Sequence, residues 1–164
     1  GPVVRGDGTH RLDFAANVLG AANTIAFVCT PTSGTLDYWF DSNPTGRATI
    51  ITGYGGLAYE WLGNFADRLT FAGAAAGLHT LVVRQTDGAA LDLYFDSATP
   101  AATKDVAANP LAGAVLSKIF CNFTATTSNY VTGDFAEFVW VPRAVSDGEI
   151  ASLIAYCRSE HGTP

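Results

Sequence analysis

Methionine is absent from all 164 residues, cysteine occurs three times, and charged side chains make up only 15% of the chain. Each shortage excludes something. Without methionine the sequence does not read as a complete translation product. Gly1-Pro2 reads as the scar of a protease-cleaved tag, so residues 3–164 are expected to form one domain excised from a longer protein. Three widely spaced cysteines, Cys29, Cys121 and Cys157, fit neither a disulfide framework nor a zinc site. Cys29 lies in the apolar run TIAFVCT and Cys157 on a helical stripe, so both read as buried thiols, with a Cys29–Cys121 bridge as the alternative. Nine Lys and Arg face fifteen Asp and Glu, a net charge of −6 with no basic cluster. A nucleic-acid partner, which needs cations to displace condensed counterions, is therefore not expected. No apolar run reaches the roughly 18 residues of a membrane span, so no membrane insertion is expected either.

What is present is apolar and strand-like. Apolar residues make up 48% of the chain, enough for an ordered globule. Short β-rich runs recur between turn residues, and strands are predicted near 11–14, 24–30, 36–40, 47–52, 57–62, 68–71, 78–86, 90–95, 116–123 and 134–141. Such spacing indicates an all-β sandwich or barrel rather than a parallel α/β sheet. In LVVRQT-DG-AALDLYF, Asp87-Gly88 supplies the positive-φ pair of a hairpin turn. Gly53-Tyr54-Gly55-Gly56 joins two strands and opens no helix, so it is a turn and not a phosphate cradle. Residues 98–110, small, polar and proline-bearing, read as a long loop.

The last thirty residues are the most explicit. A strand over 134–141 stops at Pro142, which has no amide hydrogen to continue a ladder. Ser146 is a natural N-cap, Glu149 completes a capping box, and Val145 and Ile150 stand at the hydrophobic-staple positions. Ile150, Leu153, Ile154 and Cys157 then form one apolar stripe, and Gly162 is a stop signal. One short amphipathic C-terminal helix is predicted against a β domain.

Strand alternation selects candidate ligand contacts. In Asp37-Tyr38-Trp39-Phe40-Asp41, period two puts Trp39 on the face of Asp37 and Asp41, the face expected to be solvated. In Leu91-Asp92-Leu93-Tyr94-Phe95-Asp96 it puts Asp92, Tyr94 and Asp96 outward. An exposed ring flanked by carboxylates suits a sugar, because the ring stacks on a pyranose CH face while carboxylates accept hydroxyl protons. The alternative is that Trp39 or Tyr94 is covered by a loop, the helix or a neighbouring subunit. Tyr59 and Trp61 share a third strand face and read as core, with Trp61 retained as a ligand candidate; Tyr54 and Tyr130 are further loop aromatics.

Four segments carry a family resemblance: Gly8-Thr9-His10-Arg11-Leu12-Asp13-Phe14, Asn23-Thr24-Ile25-Ala26-Phe27, the hairpin Leu78–Val83 with Leu93-Tyr94-Phe95-Asp96, and GDFAEFVWVPRAVSDGEI from Gly133. They resemble, in order and over nearly the whole chain, the laminin-G-like branch of the concanavalin A-like lectin and glucanase superfamily. The resemblance implies a two-sheet antiparallel jelly-roll sandwich, concave on one side. Its members occur in adhesins, in polysaccharide-binding and hydrolysing proteins, and on bacteriophage fibres and capsids. The chain departs from the pattern where the hairpin strand ends, with Ser97 in place of the usual glycine after Asp96, which puts that turn's geometry in doubt.

The resemblance raises catalysis and calcium. Retaining glucanases need two carboxyls about 5 Å apart, supplied in that branch by a Glu-x-Asp-x-x-Glu type strand, and no such triplet exists here. Asp92 and Asp96 are four residues apart on one strand, roughly 13 Å, too far for either glycosidase geometry. An enzyme is not expected. Asp41, Asn43, Asp96 and Asp105 are oxygens of the kind calcium takes, against ordinary turn roles for each. The expectation is a non-catalytic carbohydrate-binding or adhesion module, on a virion or outside the cell, with a surface glycan as partner. The alternative is a structural virion decoration or oligomerisation module.

Overall fold

The computed structural model describes residues 3–30, 37–41, 48–52, 58–62, 69–71, 76–86, 89–106, 114–119 and 131–164. Among these residues twelve strands and one helix follow in chain order: β1 Val4–Asp7, β2 Leu12–Leu19, β3 Asn23–Cys29, β4 Asp37–Asp41, β5 Ala48–Thr52, β6 Ala58–Leu62, β7 Leu69–Phe71, β8 His79–Thr86, β9 Ala90–Phe95, β10 Ala102–Asp105, β11 Ala114–Ile119, β12 Thr132–Val141 and α1 Asp147–His161. They build two six-stranded antiparallel sheets, ordered β1-β12-β3-β8-β9-β10 and β2-β11-β4-β5-β6-β7. The jelly-roll sandwich with one C-terminal helix is therefore the observed architecture.

The core lies between the sheets. Ile25, Phe27, Cys29, Leu81, Val83, Leu91, Leu93 and Phe135 meet Leu19, Trp39, Leu69 and Ile119 from the opposite sheet. Phe27 centres an aromatic group, with Phe138 at 5.0 Å and Phe135 at 6.2 Å between ring centroids. Alternate residues of the same strands, Ala26, Val82 and Tyr94, face the other way and are buried against Val145, Ile150 and Ile154. Strand β3 is thus buried at every position, which is why it reads as a continuous apolar run without alternation.

Strands β1 and β10 lie outside the sequence reading, and both are edges. Val4-Arg5-Gly6-Asp7 has no apolar alternation and is ordered by pairing with Asp134, Gly133 and Thr132. Residues 102–105, inside the stretch read as loop, pair with Leu93 to Ala90. An edge strand with one partner needs no continuous apolar face, so composition does not announce it. The β8–β9 hairpin pairs Thr86 with Ala90, and Ala89 N–H donates to the Thr86 carbonyl at 2.8 Å; Asp87 and Gly88 lie outside the described residues.

The helix starts and stops at its local signals. Ser146 is extended, its hydroxyl accepts from Glu149 N–H at 3.3 Å, and Glu149 accepts from Ser146 N–H at 2.8 Å. Gly162, at φ 71°, closes the helix by donating to the Arg158 carbonyl at 3.0 Å. Among the described residues no helix is long and apolar enough to cross a membrane.

Ser146→Ala should lower stability by about 1 kcal/mol through loss of the cap acceptor. The check is the thermal midpoint; no shift would remove the cap from the helix's support. Glu149 adds a pH dependence. Hydrogen bonds from Arg143 and Ser146 hold its carboxyl down from 4.5 to about 2. A depressed carboxyl stabilises the fold fully above its ordinary value, and the contribution fades as pH falls from about 4.5 through about 2. The difference in thermal midpoint between the native chain and Glu149→Gln should therefore shrink across that window.

Candidate functional site

Trp39 is not on a solvated face. Its side chain is 0% exposed and belongs to the core between the sheets. The reason is a register shift in the β4–β5 pairing: Tyr38 pairs with Ile51, but Phe40 pairs with Ile50. Trp39 is the extra residue of a bulge, and a bulge breaks the period-two alternation on which the outward assignment rested. Its ring runs against Gly133, where an added Cβ would lie 3.2 Å from Cη2 of Trp39 and 3.1 Å from the Thr30 carbonyl oxygen. A larger residue there would force Trp39 or the Thr30 carbonyl to give way.

Tyr94 does point away from the core, as alternation indicates, but it meets the helix and not solvent. It is 1% exposed beneath Val145, Ile150 and Ile154. Burial, with Asp92 adding to it, pushes its phenol up to about 12. The Arg84 guanidinium lies 5.3 Å from the ring centroid. Arg84 donates to Asp92 Oδ2 at 2.9 Å, to Asp147 Oδ1 at 2.6 Å and to the Val145 carbonyl at 3.1 Å. Thr103 donates to the other Asp92 oxygen at 2.8 Å. Asp92 is thus buried and committed to holding β8, β9, β10 and the helix start together. Arg84 was missed in the sequence, although Arg84 and Asp92 face each other across the hairpin and their complementary charge was readable.

Asp96 is likewise structural. Its carboxylate accepts from Thr80 N–H at 2.7 Å and lies 2.6 Å from Nδ1 of His79, whose Nε2 donates to the Ala76 carbonyl at 2.9 Å. The left-handed position falls on Asp96 itself, at φ 52°, so Ser97 is spared the conformation it tolerates poorly. His79 stacks on Phe95 at 4.8 Å, a packing role.

The other candidates stand in the second sheet or beyond the described residues. Asp37 and Asp41 pair with Thr52 and Thr49 in β4, and in β6 Tyr59 pairs with Thr70, Glu60 with Leu69 and Trp61 with Thr49. Of these five residues only the backbone is described. Tyr54, Tyr130, Asn43 and Cys121 lie outside the described residues. Cys29 and Cys157 are free and buried, and burial raises both thiols. Asp105 stands in β10 and not in a loop. Among the described residues, no three His, Cys, Asp or Glu side chains come together to hold a metal ion. Many of the described carboxylates are instead engaged in ion pairs: Asp92 and Asp147 share Arg84, while Asp96 meets His79, Glu137 meets His161, Glu149 meets Arg143 and Asp134 meets Arg5.

One open cavity, about 270 Å³, is lined by Arg5, Gly6, Thr30, Thr132, Gly133 and Asp134. It sits where β1, β12 and the exit of β3 meet. Arg5 donates to both Asp134 oxygens, from Nε at 2.6 Å and Nη2 at 2.9 Å. That hydrogen-bonded guanidinium holds the Asp134 carboxyl below the usual range.

With this geometry in view, comparison with solved structures defines the class. The chain is similar to the CBM40 of a Ruminococcus gnavus sialidase, solved bound to α2,3-sialyllactose, with a TM-score of 0.63 and 13% identity over 93% of this chain and 98% of that one. It is similar to a SAP-like pentraxin from Limulus polyphemus, at TM-score 0.58 and 9% identity over 93% and 81%. It is also similar to the NanB sialidase of Streptococcus pneumoniae, at TM-score 0.60 and 14% identity, covering 90% of this chain but 27% of that one. The shared fold is an all-β jelly-roll sandwich. No family model and no curated protein matches the sequence.

Burial makes the two rings separable by mutation. Trp39→Ala should cost about 3–5 kcal/mol and lose cooperative unfolding or much of its midpoint. Tyr94→Phe, which removes a buried hydroxyl and keeps the ring, should unfold at or above the native midpoint. A well-folded Trp39→Ala would contradict the burial described.

Proposed function

We propose that this chain is a non-catalytic carbohydrate-binding module that recognises a cell-surface glycan, carried outside the cell on a bacteriophage virion or an exported bacterial protein. The observation that supports it best is the extent of the likeness to the sialidase CBM40, which runs over almost all of both chains. The sialidase likeness, by contrast, covers about a quarter of that enzyme. Among the described residues, the commitment of these carboxylates to ion pairs also supports a binding rather than a hydrolytic role, since glycoside hydrolysis needs two carboxyl groups free to act on one bond.

With Trp39 and Tyr94 buried, the stacking surface in this reading falls to the second sheet: Tyr59 and Trp61 of β6, with Asp41 of β4, which pairs with Thr49 as Trp61 does, as hydroxyl acceptor, and with Tyr54 as a further aromatic. The pairing register supports it, because Tyr59 stands opposite Thr70, which is exposed, while Glu60 stands opposite the core residue Leu69. The test is a glycan array with the purified chain, repeated with Trp61→Ala. A bound glycan should lose roughly thirtyfold in affinity, the ~2 kcal/mol common for an aromatic hot spot, with circular dichroism unchanged. An array with no binder would reject the reading.

A second reading, a structural or oligomerisation module, is favoured by one observation. Of the five exposed large apolar residues among the described ones, Val3, Val4, Leu12 and Val18 lie on or beside β1 and β2, an edge strand of each sheet. Sedimentation of the isolated chain separates the two readings: a monomer leaves this edge without a self-association role.

A further inference from the structure

We infer that the cavity at Arg5 and Asp134 is a subsite for an uncharged sugar residue, held through a pair of neighbouring hydroxyls. The inference rests on the glycan-binding reading but concerns a surface distant in sequence from the β6 aromatics.

Most charged side chains described here are spent on holding elements together. Arg84 and Asp92 fasten the helix start, His79 and Asp96 brace the end of β9, and Arg158 donates to the carbonyls of Asp96 and Pro164. The Arg5–Asp134 pair also ties β1 to β12 across the ladder, but it lines an open cavity and the Arg5 side chain is 77% exposed. An exposed ion pair of this kind contributes little to stability, so it is free to exchange part of its hydrogen bonding for a ligand.

The chemistry selects the ligand. Arg5 uses Nε and Nη2 on the carboxylate, which leaves Nη1 and the second Nη2 hydrogen as donors. Each Asp134 oxygen keeps lone pairs beyond the one Arg5 uses. Donor and acceptor therefore sit side by side in a fixed plane, the pattern that two adjacent hydroxyls match, one accepting and one donating. The threonines at positions 30 and 132 add further polar groups to the lining, and about 270 Å³ is room for one sugar ring, below the usual range for drug-sized ligands. Charge sets the specificity. The pair is neutral as a whole, so a carboxylated sugar would meet Asp134 and an amino sugar would meet Arg5, each at an electrostatic cost. Glycine at positions 6 and 133 cannot be read as ligand space. An added Cβ at Gly6 would collide with the Val131 carbonyl oxygen, and one at Gly133 with Trp39, so both are explained by packing. The polar rim carries the inference.

The test is a titration of the isotopically labelled full chain, followed by amide ¹H–¹⁵N spectra, with galactose, glucose, mannose and N-acetylneuraminic acid as separate probes. At least one uncharged sugar should give saturable shifts at Gly6, Thr132, Gly133 and Asp134, while N-acetylneuraminic acid should not. Asp134→Ala should weaken that binding by roughly tenfold or more. Arg5→Leu should do the same if the first variant folds poorly, and Trp61→Ala should leave these shifts in place. Saturable shifts at these amides with N-acetylneuraminic acid would overturn the neutral specificity. Array binding that persists in Asp134→Ala, without shifts here for any uncharged sugar, would overturn the subsite while sparing the module's glycan-binding role. Absence of binding by every probe and on the array would reject both.

Discussion

The seating of α1 on the outer face of the β1-β12-β3-β8-β9-β10 sheet is the constraint on which the rest of the structure depends. It is made by two side chains on adjacent central strands. Thr24 donates to the Arg143 carbonyl at 3.0 Å and accepts from Val145 N–H at 3.1 Å, so one hydroxyl satisfies both polar groups of the turning chain. Arg84, paired with Thr24 in the ladder, reaches the Val145 carbonyl and Asp147. Between them they place Val145 and Ile150 over Ala26 and Val82 and bury the helix's apolar stripe. Without this join Tyr94 and the apolar residues beside it would face water.

That seating decides where recognition can occur. The helix covers Ala26, Val82 and Tyr94 on the outer face of one sheet, and Asp92 and Asp96 of that sheet are consumed in ion pairs. The proposed glycan contacts therefore turn to the β2-β11-β4-β5-β6-β7 sheet and to the strand edges. The polar rim at Arg5 and Asp134 belongs to those edges because β1 is an edge strand, paired on one side only. Fold and function are linked through a negative: the helix removes one surface, and the binding proposal is confined to the others.

Legibility in the sequence followed the range of the interactions. Every signal for α1 is local, so its cap, staple, stripe and stop were readable within the eighteen residues from Val145 to Gly162, and each is found in place. The central strands were readable because each has a two-sided or one-sided apolar pattern of its own. Trp39 was misplaced because the bulge is a property of the β4–β5 pairing, and one strand read alone keeps perfect alternation. Tyr94 was given the right face and the wrong surroundings, because its cover comes from residues more than fifty positions later in the chain. The Asp96 turn was doubtful for a sound reason, yet the strained position had moved by one residue onto an aspartate that accepts it. The candidate site was the least legible part, since exposure of a ring depends on every element that could cover it.

The central claim, that helix and sheet form one unit through the Thr24 and Arg84 join, is tested most directly by native-state hydrogen exchange. Amides of Ile154 and Cys157 in the helix and of Ala26 and Phe27 in β3 should open with the same free energy and the same denaturant dependence, as one cooperative unit. Helix amides that exchange through a much smaller opening, while β3 stays protected, would show that the helix is an ornament on an independently stable sandwich and would contradict the account.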